Sequence, residues 1–127
     1  MDCTSIQPIL AGDPGIVAAF VLGSVARGTP RPDSDVDIAV LYAPGRRPPA
    51  AQRVALAARL SAALGREVDL GTISADNLVY AKEAYLTGQC IFTRDPTQRD
   101  LAGATLLGLY AELRRAREEV ERAYRTQ

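Results

Sequence analysis

Two apolar runs, Ile16 to Leu22 and Ile38 to Tyr42, bracket the polar stretch Gly23 to Asp37, and this arrangement constrains the fold more than any other feature of the chain. Ile16 to Leu22 has no polar position, as a strand covered on both faces requires. Gly23 ends the run, and Ser24 is suited to cap a short helical turn through Arg27. Gly28 to Ser34 carries two prolines and reads as loop. A second strand over Asp35 to Tyr42 follows. Its period of two places Val36, Ile38 and Val40 on one face, with Asp35, Asp37, Ala39 and Leu41 on the other. The order is therefore strand, tight turn, short helix, loop, strand.

The remainder of the chain supplies elements to cover this unit. Thr4 to Ala11 is suited to a short helix before the turn Gly12 to Gly15. Ala50 to Leu64 reads as a helix with Val54, Ala57, Leu60 and Leu64 along one side and Gly65 as its stop. Arg66 to Ile73 is a third strand, with Glu67 and Asp69 sharing a face. Asp76 to Leu86 is helical and stops at Gly88, and Gln89 to Arg94 is a short fourth strand. One helical pattern then runs from Pro96 to Tyr124. Its stripe of Leu106, Leu109, Leu113, Ala116 and Val120 recurs at spacings of three and four. We expect Leu106 to Leu113 to join the core, and the end near Val120 and Tyr124 to meet another chain. The 127 residues form one domain with no internal repeat.

Composition excludes several kinds of chemistry. There is no histidine, which removes histidine-based triads, acid–base pairs and metal sites. Lys82 is the sole lysine, so no phosphate-loop lysine is available near Gly23. Lys+Arg and Asp+Glu both number 15, a balance unlike that of a protein that coats nucleic acid. Cys3 and Cys90 lie far apart and form no metal-binding pair. Two cysteines without an export signal fit a reducing cytoplasm. No apolar run is long enough to span a membrane.

Two groups of residues remain as candidates for chemistry. At Gly23 the missing Cβ lets a phosphate approach the backbone. Ser24 adds a hydroxyl and an amide at a helix start, where free N–H groups favour an anion. Arg27, one turn on, is suited either to the same phosphate or to an ion pair with Asp33. The second group is acidic. Asp35 and Asp37 leave one strand face with Cα atoms roughly 7 Å apart, a spacing that lets two carboxylates meet one ion or a pair of ions. Their oxygen donors suit magnesium, whose other ligands come from water and substrate phosphates. Asp69 completes the set if its strand lies beside the second, with Glu67 its rival on the same face. A calcium loop is excluded, because Ile38 stands where the glycine belongs and Pro44 where the glutamate belongs.

Gly23-Ser24, ten residues, then Asp35-Val36-Asp37 resembles the signature of the polymerase-β-like nucleotidyltransferases. The longer match, Gly-Ser-Val-Ala-Arg-Gly and then Ser34-Asp35-Val36-Asp37, resembles the smallest members, the minimal nucleotidyltransferases. In bacteria these often serve as antitoxins of HEPN toxins. Glu67-Val68-Asp69-Leu70 is similar to the strand with the third carboxylate, and Gly88 to Phe92 with Arg94-Asp95 to the closing strand. The resemblance covers roughly residues 16 to 95. It implies a nucleotidyltransferase fold of the α/β (α+β) kind: a small mixed sheet packed with helices, here with a long C-terminal helix over about 96 to 125. It implies that Gly23 and Ser24 hold the β- and γ-phosphates of ATP. It implies that Asp35 and Asp37 bind two magnesium ions and Asp69 one, with Asp69 placed to accept a proton from the attacking hydroxyl.

A domain this small has little surface left to enclose an acceptor beside a nucleotide, which points to an acceptor carried by another protein. By resemblance, the reaction is AMP transfer to a tyrosine of a HEPN ribonuclease toxin, inactivating it within a toxin–antitoxin hetero-oligomer. Direct binding of nucleic acid or membrane is not expected. Two other functions fit the residues: neutralisation by binding alone, and transfer to a small molecule.

Overall fold

The computed structural model describes residues 2–23 and 35–126. Its elements are α1 (Gln7–Ala11), β1 (Ile16–Leu22), β2 (Val36–Tyr42), α2 (Ala50–Leu64), β3 (Val68–Thr72), α3 (Leu78–Thr87), β4 (Gln89–Thr93) and α4 (Pro96–Arg125). The four strands form one sheet in the order β3-β2-β1-β4. β1 is antiparallel to both β2 and β4, whereas β2 and β3 are parallel. A parallel pair needs a crossover, and α2 provides it. The expected small mixed sheet with helices and a long C-terminal helix is what the chain forms.

Every residue of β1 is buried, as its unbroken apolar run predicts. One core packs Ile16, Ala19 and Val21 with Val36, Ile38 and Val40 of β2, beneath Leu10, Leu56 and Leu60. The opposite core packs Val17, Phe20 and Leu22 with Ala39 and Leu41, beneath Ala81, Ala84 and Leu106. The alternation expected of β2 is therefore the observed one, with helices on both sides of the sheet. In β1 the alternation breaks at Val17 and Ala18, where the register against β2 shifts between Ile16 and Ala18. Arg94 ties the end of β4 to the chain entering β1, donating to the carbonyls of Ala11, Asp13 and Ile16 at 2.6, 3.1 and 3.0 Å.

The helix ends follow local chemistry. α2 stops at Gly65, whose φ of +67° is the left-handed cap that glycine adopts freely. Asn77 caps α3 by accepting from the Tyr80 amide, and Asp95 caps α4 by accepting from Gln98.

Two expectations about helix faces need correction. In α2 the buried residues are Leu56 and Leu60, and Leu64 is partly covered, while Val54 is 68% exposed. The covered ridge follows steps of four, and Val54 lies about 120° around the helix from Leu60. In α4 only Gly103 and Leu106 are buried, and Leu109 is already 38% exposed. The domain beneath is simply shorter than a 30-residue helix, which extends about 45 Å. Val120 and Tyr124 are exposed. Among the described residues, no helix is long and apolar enough to cross a membrane.

Candidate active site

Asp37 is the second residue of β2 and Asp69 the second of β3, and the parallel register sets them directly opposite each other. Paired strands lie about 4.8 Å apart, so the two carboxylates leave neighbouring positions on one face. On the other side of β2, the register opposes Asp37 with Leu22, the last residue of β1. Gly23 comes next, with φ at +72°. A Cβ there would stand 3.4 Å from Asp37 Oδ2, so bare backbone faces this carboxylate. The turn thus needs glycine for its left-handed conformation and leaves its main chain open to a ligand. Gly23→Ala is expected to cost about 1–2 kcal/mol, since a side chain is forced into that conformation. Thermal unfolding compared with the parent checks this, and an unchanged melting temperature would contradict it.

α3 closes the third side. Tyr80 and Glu83, one turn apart, line a cleft of about 270 Å3 with Gly23, Asp37, Asp69 and Gly71. Gly71 lies two residues beyond Asp69 on the same face of β3. A Cβ on Gly71 would collide with the Tyr80 ring and hydroxyl, so the missing side chain is what admits the phenol. A larger hollow of about 530 Å3 lies at the other end of β2, against Arg46, Arg47 and Arg53. It is ringed by exposed side chains, such as the Arg47–Asp76 pair at 3.5 Å, and has no paired carboxylates. The paired carboxylates stand in the smaller cleft.

Burial first, then the charges of Asp69, Asp35 and Glu83, push the Asp37 carboxyl above its ordinary range. The same site pushes the Tyr80 phenol up to about 12, by burial first and then by Asp37, Asp69 and Glu83. Tyr80 therefore stays protonated, a neutral donor among carboxylates. Both shifts come first from burial and then from the neighbouring carboxylates.

The expected site residues fall out as follows. Gly23, Asp37 and Asp69 are brought together. Asp35 is exposed and lies one residue ahead of β2, so no ladder pairing fixes its carboxylate, although its charge reaches Asp37. Among the described residues, no three carboxylate or thiol side chains converge closely enough to hold an ion. The expected cluster of three is therefore present as the pair Asp37 and Asp69, with Asp35 nearby. Ser24 and Arg27 lie outside the described residues. Glu67 is exposed, its carbonyl accepting the Val36 amide at 2.9 Å, and it does not line the cleft. Tyr80 and Glu83 were missed by the sequence reading. The available signal was Gly71, a glycine inside a strand at the parity of Asp69.

Paired carboxylates beside Gly23 on adjacent strands are chemically suited to a cation and a phosphorylated ligand. A family model described as polymerase beta, nucleotidyltransferase matches residues 4–97, and the chain belongs to that family. Among solved structures, the chain is similar to one chain of a toxin–antitoxin crystallised with AMP-PNP, at 23% identity and a TM-score of 0.83, covering 98% of each chain. It is similar to a chain of the MntA–HepT toxin–antitoxin, at 22% identity and a TM-score of 0.72, covering 94% of this chain and 92% of the other. A chain from the complex of a tri-AMPylated Shewanella oneidensis HEPN toxin with its MNT antitoxin matches at 20% identity and a TM-score of 0.72, covering 98% of each. Comparison with curated protein sequences finds no match.

Proposed function

We propose that this nucleotidyltransferase is an antitoxin that transfers AMP from ATP to a tyrosine hydroxyl of a partner HEPN toxin and so inactivates it. The observation that carries this reading is the opposition of Asp37 and Asp69 beside Gly23, in a chain whose fold follows that of toxin–antitoxin chains over nearly its whole length. The neighbours themselves were solved with AMP-PNP in one case and with an AMPylated toxin in another. The chain acts as a single domain, with a catalytic core over about 16–95 and the C-terminal helix over about 96–125. Its place of action is the cytoplasm.

Magnesium fits the residues present. Their donors are all oxygen, and a divalent cation would offset both the burial and the carboxylate repulsion that raise the Asp37 carboxyl. Asp35 and Asp37 would hold two magnesium ions and Asp69 one of them, with the remaining ligands drawn from the triphosphate and water. Bound there, the metal supplies stabilisation of charge at the α-phosphate and on the leaving pyrophosphate. Gly23 and Ser24 would hold the β- and γ-phosphates, with Arg27 a candidate for the same anion. Asp69 takes the proton of the attacking hydroxyl as its oxygen bonds to the α-phosphorus and pyrophosphate departs.

Magnesium and ATP together are expected to raise thermal stability, by about 2.7 kcal/mol at a ligand concentration a hundred times its dissociation constant. Each alone should do less, because metal and triphosphate share ligands. Melting curves with magnesium, ATP, both and neither test this, and four coincident curves would count against the site. The functional test is the intact mass of the partner toxin after incubation with the chain, ATP and magnesium. A partner that is neutralised without gaining AMP would leave binding as the whole of the function.

A further inference from the structure

Two tyrosines of α3 pack against the same side of the molecule and satisfy their hydroxyls differently. Tyr85 packs on Phe20 with ring centroids 5.1 Å apart and donates to the Arg99 carbonyl at 2.8 Å. Its environment explains it completely. Tyr80 is also half-buried, and its ring lies across β3 in the space left by Gly71. Yet among the described residues its hydroxyl makes no hydrogen bond, although it shares the cleft with Asp37 and Asp69. A ring placed for packing alone has no need of a glycine beneath its polar end. The hydroxyl opens to the cleft and is protonated, so it has one O–H to give.

What it gives that proton to follows from charge. The carboxylates of the cleft are the ones that the proposed magnesium would take. The incoming ligand carries phosphate oxygens, which accept hydrogen bonds and never donate them when ionised. We propose that Tyr80 is a nucleotide-binding residue, whose hydroxyl donates to a phosphate oxygen of the metal-bound nucleoside triphosphate lying between Gly23 and Asp69. Gly71 is the positioning residue that holds the phenol there. This rests on the nucleotide half of the proposed function and is independent of what accepts the AMP.

The test is calorimetric titration of the full chain with AMP-PNP and magnesium. Tyr80→Phe keeps the ring over Gly71 and removes only the hydroxyl. It should weaken AMP-PNP binding by about ten- to a hundredfold, the range for a hydrogen bond to a charged group. The unliganded melting temperature should change little. Gly71→Ala displaces the phenol and should weaken binding comparably. The double variant should bind no worse than Gly71→Ala alone, because both changes remove one interaction. A Tyr80→Phe dissociation constant within twofold of the parent overturns the proposal, and so does strict additivity of the two changes. An intact parent affinity for AMP-PNP with no AMP reaching the partner would instead count against the acceptor assignment and leave Tyr80 where it is placed.

Discussion

Asp37→Asn is expected to lose AMP transfer by about 10³-fold or more while leaving partner binding intact. The substitution is nearly isosteric and removes one formal charge from the place where Asp37 and Asp69 face each other. A metal stabilising transition-state charge contributes several kcal/mol, and each 1.36 kcal/mol is tenfold in rate. The fold should survive. In the unliganded chain the Asp37 carboxyl titrates above its unfolded value of 3.8, chiefly through burial and the charge of Asp69. The folded state thus binds this proton more tightly than the unfolded state does. Raising the pH from below 3.8 through the folded value therefore removes stability from the parent. The asparagine variant has no such loss. At neutral pH, without ligand, it should melt at or slightly above the parent temperature, and this gain should vanish in acid below the unfolded value. Intact-mass analysis of the partner and growth rescue in cells making the toxin read the functional half. Full rescue with an unmodified partner would falsify the transferase reading.

Leu60→Ala should cost about 2–5 kcal/mol, whereas Val54→Ala should stay within about 0.5 kcal/mol of the parent. Both are aliphatic residues of α2, and both stood on its expected apolar side. Leu60 is completely buried between α2 and the sheet, next to Ile38 and Val40. Truncating it leaves a cavity that the strands cannot collapse to fill. Val54 is 68% exposed and faces away. Chemical denaturation of the two variants with unchanged slopes measures the difference. Equal losses would mean that α2 packs by the face the sequence suggested. A large loss at Leu60 should also lower the temperature at which the paired aspartates hold together, because α2 connects the two strands that carry them.

Much of this molecule was legible locally. The apolar runs marked β1 and β2, and Gly65 marked the end of α2 because a left-handed cap is a property of a single residue. The spacing from Gly23 to Asp37 announced the site, since one turn and one strand entry lie close in sequence. α2 was located to the residue, with Gly65 as its stop. Its buried face was not, because an amphipathic helix with apolar residues on a wide arc admits more than one docking angle. The sheet beneath chooses among them.

The third carboxylate shows the same division. Asp69 and Glu67 were equivalent by parity along one strand. Only the pairing of β3 with β2 distinguishes them, setting Asp69 opposite Asp37 and leaving Glu67 outside the cleft. Tyr80 and Glu83 reach that cleft because α3 lies across the sheet at the level of Gly71. The long stripe of α4 foretold burial through Leu113. Full burial stops at Leu106, Leu109 is 38% exposed and Leu113 is half-buried. The sequence by itself determined the elements, the stop at Gly65 and the glycine–aspartate spacing, because those depend on interactions within a few residues. Strand register, helix face and the width of the cleft were decided only in the tertiary structure, because each is set by contacts between segments far apart in the chain.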